Sequence, residues 1–80
     1  MLTELSTSEK VVGAKQVRRA VESGTAHKVF LADDADPRVI EPIAVLCGEK
    51  GVPTVTGVEM RQLGQACGIA VGAAMAATLA

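Results

Sequence analysis

Helical and strand-like patterns alternate along this chain, which predicts an α/β fold with one sheet sandwiched between helices. Three stretches carry that expectation. Residues 14–23 place Val17, Ala20 and Val21 on one helical face and Lys15, Arg18, Arg19 and Glu22 on the other. Lys28–Ala32 is an apolar run bounded by polar residues, as in a strand buried on both faces. Asp36-Pro37 supplies an N-cap and a proline at the first helical position, and Val39, Ile40, Ile43, Leu46 and Cys47 follow at core spacing. The 80 residues read as one domain, 1–80, without linker or internal repeat.

Taken in order, Leu2–Glu9 is expected to form a short polar helix. Val11 and Val12 form a brief strand running into a turn at Gly13, and the helix from Ala14 to Ser23 is stopped by Gly24. After the Lys28–Ala32 strand, the helix opened by Asp36 should end near Lys50-Gly51. Pro42, inside it, is expected to kink it or delay its start. Val52–Val55 reads as a third strand with Pro53 confined to its beginning. Glu59–Cys67 reads as a short helix closed by Gly68. Ile69–Leu79 is read as a final strand, with Val71 and the alanine run lining a sheet although alanine favours helix.

Composition narrows the function classes. At 49% hydrophobic and 21% charged, the chain has enough apolar matter for a core and too much for disorder. One Phe and no Trp or Tyr leave that core aliphatic. They also remove the aromatic platforms on which many RNA-binding sheets stack bases. The net charge of −1 makes the molecule no general adhesive for nucleic acid. The charge is uneven, however. Residues 1–30 hold Lys10, Lys15, Arg18, Arg19 and Lys28 against three acids, whereas residues 31–60 hold Asp33, Asp34, Asp36, Glu41, Glu49 and Glu59 against two cations. Cys47 and Cys67 stand among apolar neighbours and form no C-x-x-C pair, so buried free thiols are expected. No signal peptide opens the chain, and a cytoplasmic setting is expected. Gly64, Gly68 and Gly72 recur in an uncharged tail, but the stretch after Gln65 is shorter than the about 20 residues a membrane helix needs.

Two segments could carry binding chemistry. A helix beginning after Gly13 presents unpaired backbone N–H groups and a partial positive charge, suited to phosphates and electronegative base edges. Lys15 and Arg19, four apart, share a face there, and Gln16 sits at the helix mouth. Lys or Arg can donate to guanine edges, and Gln can donate and accept. The alternative is an ordinary solvated helix face. The second segment, Leu63–Val71, is a glycine-bounded loop in which Ile69 and Val71 either press on a base or belong to the core. Asp33, Asp34 and Asp36 lack the spaced oxygen ligands of a calcium loop, and capping accounts for Asp36, so no metal is expected. His27 is the lone histidine, with no nucleophile elbow, metal-ligand spacing or glycine-rich phosphate loop beside it. No catalytic residue and no cofactor are expected.

Three segments together, Gly13-Ala-Lys15-Gln16-Val-Arg18-Arg19, Phe30–Pro37 and Leu63-Gly-Gln-Ala-Cys-Gly68-Ile69-Ala70-Val71, resemble the ribosomal kink-turn-binding family across essentially the whole chain. That family includes archaeal large-subunit proteins, the core protein of guide-RNA particles and small bacterial paralogues. The resemblance implies a three-layer α/β/α sandwich around a four-stranded mixed sheet. It also implies binding to the kink-turn, an RNA internal loop with tandem sheared G·A pairs and a sharp bend. By the same resemblance Gly13, Lys15, Gln16 and Arg19 read the G·A pairs and adjacent phosphates. Ile69, Ala70 and Val71 pack on flipped-out nucleotides, and Asp36 lies close to the same RNA loop. Arg18 and Lys28 are added on physical grounds as phosphate contacts. Where archaeal and eukaryotic members commonly carry Asn-Glu, this chain has Lys15-Gln16, as the bacterial paralogues do. The change trades a charge-assisted bond to a guanine edge for phosphate affinity.

The function expected is that of a noncatalytic, monomeric RNA-binding module, ribosome-associated or regulatory, that favours the bent RNA. The rival is a protein-interaction module that keeps the fold and uses its acidic stretch.

Overall fold

A computed structural model describes residues 2–7 and 9–79. Its elements run α1 (Thr3–Thr7), β1 (Lys10–Val12), α2 (Ala14–Glu22), β2 (Ala26–Ala32), α3 (Pro37–Lys50), β3 (Thr54–Val58), α4 (Met60–Ala66) and β4 (Met75–Leu79). The alternation predicted from the sequence is present throughout. Ser8, inside the expected first helix, lies outside the described residues.

The four strands form one mixed sheet in the order β1-β4-β2-β3. β4 pairs antiparallel with both β1 and β2, and β2 pairs parallel with β3. Successive strand residues point to opposite faces, and β2 uses both. Phe30 and Ala32 enter a core with Leu5 of α1, Leu63 of α4, Cys67 and Ala76. Val29 and Leu31 enter another with Val17 and Val21 of α2, Ile43 and Cys47 of α3, Met75 and Ala77. Helices α1 and α4 thus cover one face and α2 and α3 the other, giving the three-layer α/β/α sandwich. Cys47 and Cys67 are buried free thiols with the sheet between them, so no disulfide joins them, and burial pushes both thiols up.

Several boundaries differ from the sequence reading, among them the end of β3, at Val58 rather than Val55. β4 begins at Met75 rather than Ile69, because the backbone before it is engaged by α4. Ile69 donates to the Gly64 carbonyl (3.1 Å) and Ala73 to the Met60 carbonyl (3.0 Å), leaving no ladder to join. β3 begins at Thr54 rather than Val52, because the Val52 N–H closes α3 on the Cys47 carbonyl (2.9 Å) and Pro53 has no N–H to give. β2 begins at Ala26, two residues before Lys28, where it meets Leu79 of β4. Helix α3 runs through Pro42 without interruption. Pro42 is exposed, so its one missing hydrogen bond leaves the Arg38 carbonyl in reach of water.

Candidate nucleic-acid interface

The C-terminal ends of β1, β2 and β3 and the N-terminal end of β4 meet at one edge of the sheet. The Gly13 N–H donates to the Met75 carbonyl (3.0 Å), Ala32 to Ala74 (2.9 Å) and Asp33 to Val58 (2.8 Å). Because β1, β2 and β3 each lead into a helix, the mouths of α2, α3 and α4 all open at this edge, and the loop leading to β4 crosses it.

Gly13 is the N-cap of α2 with φ 98° and ψ 154°, a backbone region that is essentially glycine's alone. No side chain caps the helix there, so the first-turn N–H groups of Ala14, Lys15 and Gln16 face outward without intrahelical acceptors. Val17, Ala20 and Val21 anchor the helix, while Lys15, Gln16, Arg18 and Arg19 are exposed around it. The cations divide between two flanks. Lys15 and Arg18 line a groove toward α3, whereas Gln16 and Arg19 line another toward β1, beside Val11 and Leu79.

The second segment is displayed at the surface. Val71 is 71% exposed and Ile69 37%, and Ala70 is exposed between them, so the core alternative for these residues does not hold. Gly64 shapes this loop: it is buried on α4, and a Cβ there would run into the Val71 carbonyl oxygen. Gly72 lies close to Met60, where a Cβ would stand 3.2 Å from the Met60 Cβ. The loop therefore lies flat on α4 and turns Ile69 and Val71 outward while Ala73 is buried.

The Asp33–Asp36 turn ties this edge together. Asp33 Oδ1 accepts from the Gly57 N–H (3.0 Å) and Asp34 Oδ1 from the Met60 N–H (2.7 Å), the latter helping to cap α4. Asp36 Oδ1 accepts from the Arg38 N–H (2.9 Å), capping α3, and its carboxylate also grips the Arg38 side chain (2.8 Å to Nη2). That guanidinium, then the backbone N–H, holds the Asp36 carboxyl below the usual carboxylate range. The cap is in force above the ordinary carboxylate pKa and is released as the pH falls through the lowered value. Each of the three carboxylates thus has its own partner, and no metal-holding group of acids, histidines or cysteines occurs among the described residues. Arg38 itself, at the mouth of α3 and on the α2–α3 groove, escaped the sequence reading, whose signal for it was only its place two residues after a capping Asp.

Lys28 does not join the set. It pairs with Thr78, toward the other end of β2, and its Nζ donates to both carboxylate oxygens of Glu4 on α1 (2.9 and 3.1 Å). It shares the strand face of Phe30 and Ala32, opposite α2, and so fastens α1 to the sheet. Replacing Lys28 by Ala is expected to cost under about 1 kcal/mol, because the pair is about a third exposed. Urea denaturation reads that loss, and a fall in RNA affinity at unchanged stability would restore Lys28 to the interface.

An α/β/α sandwich with three helix starts and an exposed apolar loop at one end of its sheet defines a class of small α/β fold. Within that class, residues 2–80 match the model of the ribosomal protein L7Ae/L30e/S12e/Gadd45 family, and the chain belongs to it. Among its relatives, an RNA-binding protein of Caldanaerobacter subterraneus subsp. tengcongensis is 42% identical over 76 residues, covering 95% of this chain and 93% of that one. The RNA-binding protein YbxF of Geobacillus stearothermophilus is 41% identical over 75 residues, covering 94% and 92%. Among solved structures, the Giardia lamblia 15.5kD RNA binding protein superposes with a TM-score of 0.88 at 28% identity, covering 99% of this chain and 68% of that one. A Bacillus halodurans protein of unknown function shares the fold, with a TM-score of 0.87 at 23% identity over 96% and 81%.

Proposed function

We propose that this chain is a noncatalytic RNA-binding protein that recognises the kink-turn and stabilises its bent form, acting as a monomer on ribosomal or regulatory RNA in the cytoplasm. The observation that carries this reading is the meeting of two unlike surfaces at one sheet edge: the uncapped mouth of α2 at Gly13 and the outward-turned Ile69–Val71 loop. The first suits phosphates and base edges, the second an unstacked base, and a sharp bend in RNA presents both within a short reach. The names of the relatives, RNA-binding proteins of similar length, support the RNA partner. The burial of Phe30 and the lack of Tyr and Trp are no obstacle, since aliphatic side chains can cover an exposed base without stacking on it.

The roles run residue by residue. Gly13 lets the RNA backbone approach, while Lys15 and Arg19 offer charge to phosphates on the two flanks of the helix mouth. Gln16 meets a base edge; Arg18 supplies a further phosphate contact; Ile69, Ala70 and Val71 cover the flipped-out nucleotides. Asp36 acts by positioning Arg38 and the α3 mouth. The rival protein-interaction reading loses ground because Asp33, Asp34 and Asp36, half of its acidic stretch, are engaged within the fold.

A protein that favours the bent conformer must bind it with greater affinity than the unbent one. Titration of labelled kink-turn RNA, against the same RNA with its G·A pairs replaced, is expected to show clear preference for the former, with affinity falling as salt rises. Equal binding to both, or none, would sink the proposal.

A further inference from the structure

The groove between α2 and α3 holds about 450 Å³ and starts at the α2 mouth. Three cations rim it: Lys15 and Arg18 from α2, and Arg38 from α3, the last oriented by Asp36. Its floor is apolar, formed by Ala14, Val39, Pro42 and the buried Ile43. Val39 is 37% exposed, an apolar side chain left open beside three positive charges.

Cations over an apolar floor match two parts of a ribonucleotide unit, the phosphate and the face of its sugar or base. We infer that the α2–α3 groove is a second RNA subsite, taking a nucleotide of the strand that leaves the helix mouth. This inference rests on the RNA-binding function proposed above. Continuity argues for RNA as the occupant, because Ala14 and Lys15 belong both to the helix mouth and to the groove. An RNA seated at Gly13 reaches the groove without a gap. Charge argues the same way, since Lys15, Arg18 and Arg38 line the groove and no carboxylate is among its lining residues.

The test compares two substitutions of equal charge on one helix. Val39→Asp places a carboxylate in the groove, and Val45→Asp places one outside it, at a position 63% exposed. Both sites are exposed on α3, and thermal unfolding of each variant checks that the fold is kept. With kink-turn RNA as the probe, Val39→Asp is expected to lose about tenfold or more in affinity and Val45→Asp less than about threefold, because position 45 does not line the groove and its exposed charge stays solvated. The double change Arg18→Gln, Arg38→Gln should lower the magnitude of the salt slope by about two, one for each lost phosphate contact. Equal losses at positions 39 and 45 would overturn the inference. So would unchanged binding in every groove variant while Arg19→Ala, on the opposite flank, still weakens it; a groove serving an acidic peptide gives that outcome. Failure of the unmodified protein to prefer the kinked RNA would strike the function itself, and the subsite with it.

Discussion

Gly64→Ala is expected to destabilise the protein by about 2 kcal/mol, within the range for overpacking a close contact. The substitution is informative because local preference points the other way. Gly64 lies inside α4, where alanine is favoured over glycine by about 1 kcal/mol. The added Cβ meets the Val71 carbonyl oxygen, however, and a backbone atom cannot swing aside as a flexible side chain can. The loop must lift from α4, and the hydrogen bond from Ile69 to the Gly64 carbonyl strains with it. Gly48→Ala, on the exposed side of α3 with nothing within 4 Å of the new Cβ, is the matched control. It should stabilise by up to about 1 kcal/mol. Urea unfolding of the two variants reads both signs, and a stabilising Gly64→Ala would contradict the close approach. Because the lifted loop carries Ile69 and Val71, RNA affinity should fall in Gly64→Ala and hold in Gly48→Ala.

Lys15→Ala combined with Arg19→Ala should weaken RNA binding by about 10- to 100-fold at low salt, with a salt slope shallower by about two. The chain's net charge of −1 makes this a sharp test, since no general attraction masks local losses. Preference for G·A-paired RNA over its altered version should persist, because phosphate contacts position the ligand and base contacts specify it. Gln16→Ala should do the reverse, eroding the preference more than the overall affinity. If the double change leaves affinity and slope unaltered, the face of α2 is solvated surface and the RNA lies elsewhere. Filter binding or fluorescence anisotropy over a range of salt separates these results.

Much of the frame was legible because its signals are local. Asp36-Pro37 announces α3 by capping chemistry, and the division of Val17, Ala20 and Val21 from Lys15 and Arg19 announces α2. The paired apolar faces of β2 announce a strand buried on both sides. What escaped depends on distant partners. Nothing within Ile69–Leu79 shows that its first six residues lie on α4, since that follows from Gly64 and Met60 earlier in the chain. The same holds for Lys28. Alternation places it with Phe30, but the face on which α2 would settle, and the presence of Glu4 opposite, emerge only when the layers assemble. Whether Ile69 and Val71 were core or surface was likewise undecidable from apolarity, which both settings share. Arg38 was hidden for a different reason: its neighbour Asp36 explained itself as a cap, and the groove joining Arg38 to Arg18 spans two helices.

The separation of Cys47 and Cys67 by the sheet gives the molecule a built-in pair of reporters for its two halves. Each thiol is buried and kept protonated, so a thiol reagent reaches it only when its own layer opens. Single-cysteine variants would therefore time the loosening of the α1–α4 layer and the α2–α3 layer independently. RNA that clasps both α2 and the Ile69–Val71 loop should slow both clocks, whereas a ligand held by α2 alone should slow that of Cys47 first.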